Sequence, residues 1–349
     1  MATRAPVSVL DDYYLAITLL VTVAYQLIGF SIAFTFKFDK VTDLMGGTNF
    51  IVLAILTLAL SGTTRTRQII TSVFIIVWAA RLSGFLFFRI LKTGKDDRFD
   101  DKRDKFFSFL GFWVYQMLWV WTVSFPVTIS NSPNVLQFPS PSFGKPQDIL
   151  GIIFFVLGFG LESISDAQKY RFKQSEAGKQ PGAVCNVGLF KWSRHPNYVG
   201  EILIHVAIFM IAVTPASYST VPAGSGAYAA LFSSMIGFFT LTALLLFISG
   251  LTLQERPGAK KRYEKGTAWP AYKKWLDETS ILIPMPPAIW KMLPTIVKRT
   301  VGFEWPIYVF DPEKHADKSQ VAEVGEAGEQ GERNGNHHQG STQSNEPLT

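Results

Sequence analysis

The chain has 349 residues, of which 48% are hydrophobic and only 17% charged, with a mean hydropathy of +0.19. This composition argues against the pair of soluble domains that the length alone would suggest. The net charge of +6 comes from lysines and arginines between apolar segments and gives no reason to expect a nucleic acid partner. The single cysteine, Cys185, excludes an intrachain disulfide and a cysteine-rich zinc site, and we expect no metal.

Seven apolar segments follow one another along the chain, and most approach the roughly 20 residues that a helix needs to cross a bilayer. They are Tyr14–Phe34, Asn49–Ser61, Gln68–Leu91, Phe107–Ile129, Ile149–Tyr170, Tyr198–Ala216 and Ala227–Leu251. The short second segment is expected to be tilted, longer at either end, or partly re-entrant. The sequence thus predicts an all-α polytopic membrane protein with about seven transmembrane helices.

Composition also divides the chain into four predicted parts. Residues 1–13 form an N-terminal segment without the features of a cleaved signal peptide, and residues 14–284 form the transmembrane domain. Residues 285–313 are expected to be helical and to lie at the membrane interface. Residues 314–349 contain almost no large apolar residue and are predicted to be disordered.

Basic residues between the spans predict the orientation of the chain. Lysines and arginines accumulate in alternate connections and in the segment after the last span, which is the pattern of cytoplasmic loops. With an odd number of spans, the C-terminus is expected in the cytoplasm and the N-terminus on the opposite side.

Charged residues within two of the spans need explanation, because ionisable groups in hydrocarbon are costly. Arg81 lies inside the third span and is expected to have a partner or water. Glu162, Asp166, Lys169 and Lys173 recur at helical spacing in the fifth span and share one face. Asp166 either pairs with a lysine where the span ends or receives the donors of a ligand.

A second polar cluster, from Arg194 to Glu201, stands at the start of the sixth span. Pro196 suits the first turn of a helix, and Asn197 is predicted to cap it. His195 is a candidate for contact with a phosphate. His205 follows Glu201 by one turn without the two-histidine zinc pattern, and we interpret it as a packing residue.

Soluble cofactor folds do not fit this chain. The stretch Gly158-Phe159-Gly160 is only part of a glycine fingerprint, and it lies inside an apolar helix without a preceding strand. A bound dinucleotide would therefore have to lie among helix ends and cytoplasmic loops, with its phosphates on arginines and helix N-termini.

Four motifs together resemble the DUF1295 family, which is similar to the C-terminal domain of steroid 5α-reductases. They are Trp78-Ala79-Ala80-Arg81-Leu82-Ser83-Gly84-Phe85 with Arg89 and Arg98, Asp166-Ala167-Gln168-Lys169 with Phe172-Lys173, Gly188-Leu189-Phe190 with Ser193 to Glu201, and the ending from Tyr272 to Pro284. The resemblance covers most of residues 14–284. Its Arg-His-Pro and Tyr-x-Gly-Glu elements are shared with sterol C14 reductases and isoprenylcysteine methyltransferases.

The resemblance implies a seven-helix reductase, in the endoplasmic reticulum membrane as is usual for the family. NADPH would enter from the cytoplasm and reduce an activated carbon–carbon double bond in a lipid or steroid-like enone. The residues implied for the cofactor are Arg98, Asp166, Lys173, Arg194, His195, Asn197, Tyr198, Glu201, Tyr263 and Tyr272. Tyr115 and Glu162, with Tyr25, are the candidates for polarising the enone or donating a proton. The tyrosine–glutamate pair that steroid reductases use for the substrate ketone has no counterpart that we can locate.

Two alternatives remain open at this stage. The same Arg194 to Glu201 element, with Glu255, would suit S-adenosylmethionine in a methyltransferase of the isoprenylcysteine type. A lipid-binding or scaffolding membrane protein without catalytic activity is the second alternative, because fold alone does not determine function. In each case the expected partners are the lipid bilayer and a hydrophobic ligand.

Overall fold

The computed structural model describes residues 5–38, 40–93, 104–266 and 268–317. Within these ranges the chain is all-helical and contains no β-strand. Seven of the helical segments are long and apolar enough to cross a membrane. The predicted fold class is therefore confirmed, and the chain is an integral membrane protein.

The membrane-spanning segments agree with the apolar runs in order and number. They are α1 (Leu15–Thr35), α2 (Val41–Ser61), α3 (Thr66–Thr93), α4 (Phe106–Val123), α7 (Pro146–Gln174), α9 (Pro196–Ser217) and a composite segment over Gly226–Glu264. The composite segment contains α10 (Gly226–Ser233), α11 (Ile236–Ala243), a π-helical turn (Leu244–Ile248) and α12 (Leu251–Glu264).

The second span is extended toward its N-terminus and has 21 residues, which is one of the outcomes expected for it. Two predicted boundaries were wrong. The fourth ends at Val123 instead of Ile129, because Pro126 lacks the amide hydrogen that would continue the helix, and α5 (Phe125–Ser130) begins anew. The seventh does not end near Leu251, since the charged sequence that follows continues as α12.

Shorter helices occupy the connections and the C-terminal region. They are α6 (Pro133–Leu136), α8 (Glu176–Lys179), a 3₁₀ turn (Gly188–Lys191), α13 (Trp269–Glu278), α14 (Pro287–Met292), α15 (Thr295–Thr300) and α16 (Pro312–His315). Several large apolar side chains of α14 and α15 are exposed, including Met292 and Ile296. Exposed apolar side chains are common in helices that lie at a membrane interface, and such a position for residues 285–313 stays a prediction. Most of the predicted disordered tail, from Lys318 onward, lies outside the described residues.

The chain divides into two compact units. Unit 1 comprises the chain up to Glu162 together with Val199–Ala243, and unit 2 comprises Ser163–Tyr198 together with the chain from Leu244 onward. Unit 1 therefore holds most of the membrane-spanning helices. Unit 2 holds the end of α7, the loop before α9, α12 and the C-terminal helices.

Side-chain amides connect the first, second and fourth spans inside unit 1. The Gln26 amide donates to Asn49 Oδ1 at 3.0 Å, and the Gln116 amide donates to Gln26 Oε1 at 2.8 Å. All three side chains are buried. Such interhelical hydrogen bonds hold helices together in a membrane, where apolar contact with lipid competes with contact between helices.

Two ion pairs of unit 1 join α3 to α7. Arg67 donates to both oxygens of Asp148, at 3.0 and 2.7 Å, and joins α3 to the first turn of α7. The Arg81 guanidinium donates one hydrogen bond to the Glu162 carboxylate and another, of 2.9 Å, to the backbone carbonyl oxygen of Glu162. Arg81 therefore has the partner that an arginine inside a span requires, as the sequence predicted.

Helices α7 and α9 approach each other closely at two glycines. A Cβ added to Gly158 would lie 2.6 Å from the carbonyl oxygen of Gly200. A Cβ added to Gly200 would lie 2.5 Å from the carbonyl oxygen of Gly158 and 2.7 Å from the backbone nitrogen of Glu162. Only glycine allows this backbone contact, which is typical of helix packing in membranes.

The substitution Gly200→Ala should lower the free energy of unfolding by about 1–3 kcal/mol, because the two helix backbones would have to separate. Gly160→Ala is the matched control, since a Cβ at Gly160 meets no heavy atom within 4 Å. We expect the control to be as stable as the wild type or more so. Thermal unfolding of both variants in detergent checks this, and an equal loss in the two would contradict it.

Arg81→Leu should destabilise the protein by about 3–5 kcal/mol, because the buried Glu162 carboxylate loses the guanidinium that compensates its charge. The double variant Arg81→Leu/Glu162→Leu should recover much of this loss. The free energies of unfolding of the three proteins can be compared by thermal or denaturant unfolding. If the double variant were no more stable than the single one, the loss of stability would not come from an uncompensated charge on Glu162.

Candidate functional site

Unit 2 contains a cleft of about 240 Å³ between the end of α7, the loop before α9, α12 and α13. Its wall is formed by charged and aromatic side chains together with the loop that carries Cys185. The lining residues are Lys169, Phe172, Lys173, Gly178, Ala183, Val184, Cys185, Phe190, Arg194, His195, Gln254, Glu255, Arg262, Tyr272 and Trp275. The cleft therefore collects residues from four separate parts of the sequence.

Arg194 is almost fully buried in this unit, with 3% of its side chain exposed. Its Nε lies 3.2 Å from Glu255 Oε2, and its Nη2 lies 3.0 Å from Glu304 Oε1. Its Nη1 donates to the carbonyl oxygen of Leu276 at 2.9 Å. Two carboxylates thus compensate the charge of the guanidinium.

His195 lies beside this ion pair and is also buried. Its Nε2 is 2.7 Å from Glu255 Oε1, so the ring N–H donates to the carboxylate. Burial lowers the pKa of His195 below the usual 6.5, although the bond to Glu255 opposes the shift, and Lys169 and Arg194 add to it. The imidazole is therefore neutral near pH 7, and its ring stacks on Tyr198 at 5.0 Å.

Backbone hydrogen bonds keep the loop before α9 in place. The Arg194 amide donates to the Ser280 carbonyl at 2.8 Å, and the Met285 amide donates to the Trp192 carbonyl at 3.0 Å. The Ser193 hydroxyl donates to the Leu282 carbonyl at 2.6 Å. The chain after α13 thus runs beside this loop and fixes the position from which Arg194 and His195 project.

The cleft is electropositive. Lys169, Lys173, Arg194 and Arg262 line it, whereas Glu255 is the one carboxylate among the lining residues and is engaged by Arg194 and His195. Lys169 and Lys173 are one helical turn apart near the C-terminal end of α7. Such a concentration of cations attracts an anionic ligand, phosphate above all.

Aromatic rings form another wall of the cleft. The Arg262 guanidinium lies 4.3 Å from the ring centre of Tyr272, and the rings of Tyr272 and Trp275 are 5.6 Å apart. Burial raises the pKa of Tyr272 to about 12, so its hydroxyl stays protonated and can donate a hydrogen bond. Flat side chains beside cations are suited to a ligand that carries both a planar ring and phosphate.

Four of the predicted cofactor residues line the cleft: Lys173, Arg194, His195 and Tyr272. Tyr198 adjoins it through a side-chain hydrogen bond with Gln254 and its stacking on His195. Asp166 lies on α7 one turn before Lys169 and is not among the lining residues.

The other predicted residues lie elsewhere. Tyr263 packs against Trp269, with ring centres 5.3 Å apart, and Glu201 lies in the part of α9 that belongs to unit 1. Tyr115 and Glu162 also belong to unit 1. Arg98 lies outside the described residues.

Asn197 does not cap α9 as predicted. The helix begins at Pro196, so Asn197 is its second residue, and His195 occupies the position before the helix. Asn197 Oδ1 is buried and has no hydrogen-bond partner among the described residues. A buried acceptor of this kind is unusual and is expected to meet a donor from a ligand or water.

Two residues of this region carry no signal in the sequence. Arg262 lies in the basic run after the last span, and Glu304 belongs to no motif. A basic side chain in a charged run gives no sign of whether it faces solvent or a cleft. Their roles depend on contacts over long sequence separations, such as the 110 residues between Arg194 and Glu304.

The helical spans define a polytopic membrane protein, and the electropositive cleft is a candidate site for an anionic ligand. Residues 29–276 match the family described as "Protein of unknown function (DUF1295)", and the chain belongs to this family. The resemblance seen in the sequence is thereby confirmed at the level of the family. Neither a curated protein nor a solved structure matches the chain.

Stability should fall as the pH drops below about 6.5, because the unfolded state then binds a proton that buried His195 does not. The contribution of neutral His195 to the free energy of unfolding is fully present above the pKa of histidine in the unfolded chain. It is lost as the pH falls toward the lower pKa of His195 in the folded protein, and the free energy changes by at most about 1.4 kcal/mol per pH unit. His195→Gln should reduce this slope. Unfolding measured from about pH 5 to 7.5 checks the sign, and equal slopes in the two proteins would refute it.

Proposed function

We propose that this protein is an NADPH-dependent reductase that acts on an activated carbon–carbon double bond in a lipid or steroid-like enone. The observation that carries the proposal is the cleft of unit 2, in which three cationic side chains lie beside aromatic rings while the lining carboxylate is paired with a fourth cation, Arg194. Phosphate groups require such cations, and a nucleobase can stack on such rings. Membership of the DUF1295 family is consistent with this function.

The residues of the cleft fit part of a dinucleotide. Its volume of about 240 Å³ is below the roughly 300–1,000 Å³ of typical ligand pockets, so it suits one end of the cofactor. Lys169 and Lys173 would hold phosphate, and Tyr272 and Trp275 would face the base. Asn197 Oδ1 is a buried acceptor without a hydrogen-bond partner among the described residues, and it would accept a hydrogen bond from a ribose hydroxyl or an amide N–H.

We assign Arg194 a supporting role in the wall of the cleft instead of direct contact with phosphate. Its Nη1 and Nη2 already donate to a backbone carbonyl and to Glu304, and its Nε lies in ion-pair contact with Glu255. Asp166, Tyr198, Glu201 and Tyr263 remain candidates for further cofactor contacts, as does Arg98. The bound cofactor would supply the hydride, and the protein would supply orientation and a dry site.

The substrate is expected in the membrane-spanning part of the protein. Hydride addition to an enone develops negative charge on the carbonyl oxygen, which a hydroxyl or protonated carboxyl can stabilise where water is excluded. Tyr115 is one candidate, because its hydroxyl is buried and has no hydrogen-bond partner among the described residues. Glu162, the other candidate, forms an ion pair with Arg81 and would have to take up a proton before it could donate one.

Charge argues against the methyltransferase alternative. S-adenosylmethionine carries a positive sulfonium, which Lys169, Lys173 and Arg262 would repel, and Glu255 is committed to Arg194 and His195. With the cofactor in the cytoplasm, the basic C-terminal side of the protein would also face the cytoplasm, in agreement with the distribution of lysine and arginine. The endoplasmic reticulum is the membrane we propose.

Cofactor choice can be tested by thermal unfolding of the full chain in detergent with NADPH, NADH or S-adenosylmethionine. A ligand at about 100 times its dissociation constant stabilises by roughly 2.7 kcal/mol. We expect stabilisation by NADPH. A response to S-adenosylmethionine alone would support the methyltransferase instead, and no response to any of the three would favour a protein without catalysis.

The location of the cofactor can be tested with matched lysine variants. Lys173→Ala should weaken NADPH binding about ten-fold, the size expected for a hydrogen bond to a charged group. Lys191→Ala is the control, because Lys191 is equally exposed but does not line the cleft. Cys185 is the only cysteine, so protection of its thiol from alkylation reports occupancy of the cleft. Equal affinity in the two variants, without protection of the thiol, would place the cofactor elsewhere.

A further inference from the structure

Two buried rings of unit 1, Trp78 on α3 and His205 on α9, meet edge to face. Their ring centres are 4.4 Å apart and their planes are 88° apart. Trp78 is fully buried and His205 is 3% exposed. Neither residue was assigned more than a packing role by the sequence, and neither belongs to the cleft of unit 2.

Each ring leaves one nitrogen without a hydrogen bond among the described residues, namely Trp78 Nε1 and His205 Nε2. His205 Nδ1 lies 3.0 Å from the carbonyl oxygen of Glu201, which can only accept, so Nδ1 carries the proton. His205 Nε2 is then an acceptor, whereas the indole N–H of Trp78 is always a donor. The two orphan atoms are therefore of complementary kinds.

The position in the spans makes these unmet hydrogen bonds costly. Trp78 is 12 residues after the first residue of α3 and His205 nine after that of α9, or about 18 and 14 Å along the helices at 1.5 Å per residue. Bulk water does not reach this depth, and an unsatisfied polar group there costs several kcal/mol. Buried groups left unpaired in a folded protein call for a ligand or an ordered water.

We infer that Trp78 and His205 form a binding site for the hydroxyl group of a lipid alcohol within the membrane. A hydroxyl oxygen accepts from the indole N–H of Trp78 while its own hydrogen is donated to His205 Nε2. A carbonyl or ether oxygen would satisfy only Trp78. The surroundings of the pair are apolar, because the ring of Phe50 lies 5.2 Å from that of Trp78 and because Ile204 and Ile208 beside His205 are buried.

Comparison with Trp113 shows that a buried tryptophan alone does not provide both a donor and an acceptor. It is also buried with an indole N–H that has no partner, but the rings around it belong to Phe30 and Phe109. Those rings provide no nitrogen acceptor. Trp113 therefore provides a matched control for Trp78, because Trp→Phe removes one buried indole N–H in both cases.

The test compares a lipid alcohol with its methyl ether. The full chain is placed in nanodiscs of sterol-free phosphatidylcholine without nucleotide, and the affinities of 1-hexadecanol and ergosterol and of their methyl ethers are measured by competition against a radiolabelled form of each alcohol. We expect at least one alcohol to bind about five-fold or more tightly than its ether, the size of a buried neutral hydrogen bond. Since no NADPH is present, failure of the reductase proposal would leave this result unaffected.

Substitutions then locate the site. His205→Phe and Trp78→Phe should each abolish the preference for the alcohol, whereas Trp113→Phe should keep it. Thermal unfolding without ligand verifies that each variant folds, and the wild-type comparison is decisive even if one variant does not. No preference in the wild type would overturn the inference in favour of a bound water or a contact between the two rings alone. A preference that survives both substitutions would also overturn it.

Discussion

The structure depends on one constraint, which is that hydrocarbon offers no hydrogen-bond partner to a polar group. Charges and amides inside the spans must therefore be paired by other side chains, as Arg67 is by Asp148 and Arg81 by Glu162. These pairs join α3 to α7 and restrict how the helices of unit 1 pack. Where pairing is incomplete, as at Trp78 and His205, the same constraint points to a ligand.

In unit 2, the buried charge of Arg194 must likewise be compensated by other groups of the protein. A guanidinium that is almost fully buried is stabilised by Glu255 of α12, by Glu304 of the C-terminal segment and by a carbonyl of α13. Residue Glu304 lies beyond the part of the chain that matches the DUF1295 family, which ends at residue 276. The C-terminal segment thus contributes to the cleft indirectly, because it helps hold the arginine that orients Glu255 and, through it, His195.

The two units differ in the chemistry of the side chains that they bring together. Unit 2 presents lysines, arginines and aromatic rings in a cleft, which suits a charged, water-soluble cofactor. Unit 1 has isolated polar atoms enclosed by apolar side chains, which suits a lipid with a single polar group. A reductase of membrane lipids needs both kinds of site, one for the source of hydride and one for the hydrophobic substrate.

The sequence by itself determined the seven spans, because long apolar runs have few stable alternatives to crossing a bilayer. It also marked Lys173, Arg194, His195 and Tyr272, whose motifs resemble the DUF1295 family, as residues of a site. Only the tertiary structure decided that Tyr272 and not Tyr263 lines the cleft, that Arg194 is neutralised by Glu304, and that Trp78 meets His205. Such contacts join residues far apart in the chain, and local patterns of hydropathy and charge carry no information about which distant side chain will be the neighbour.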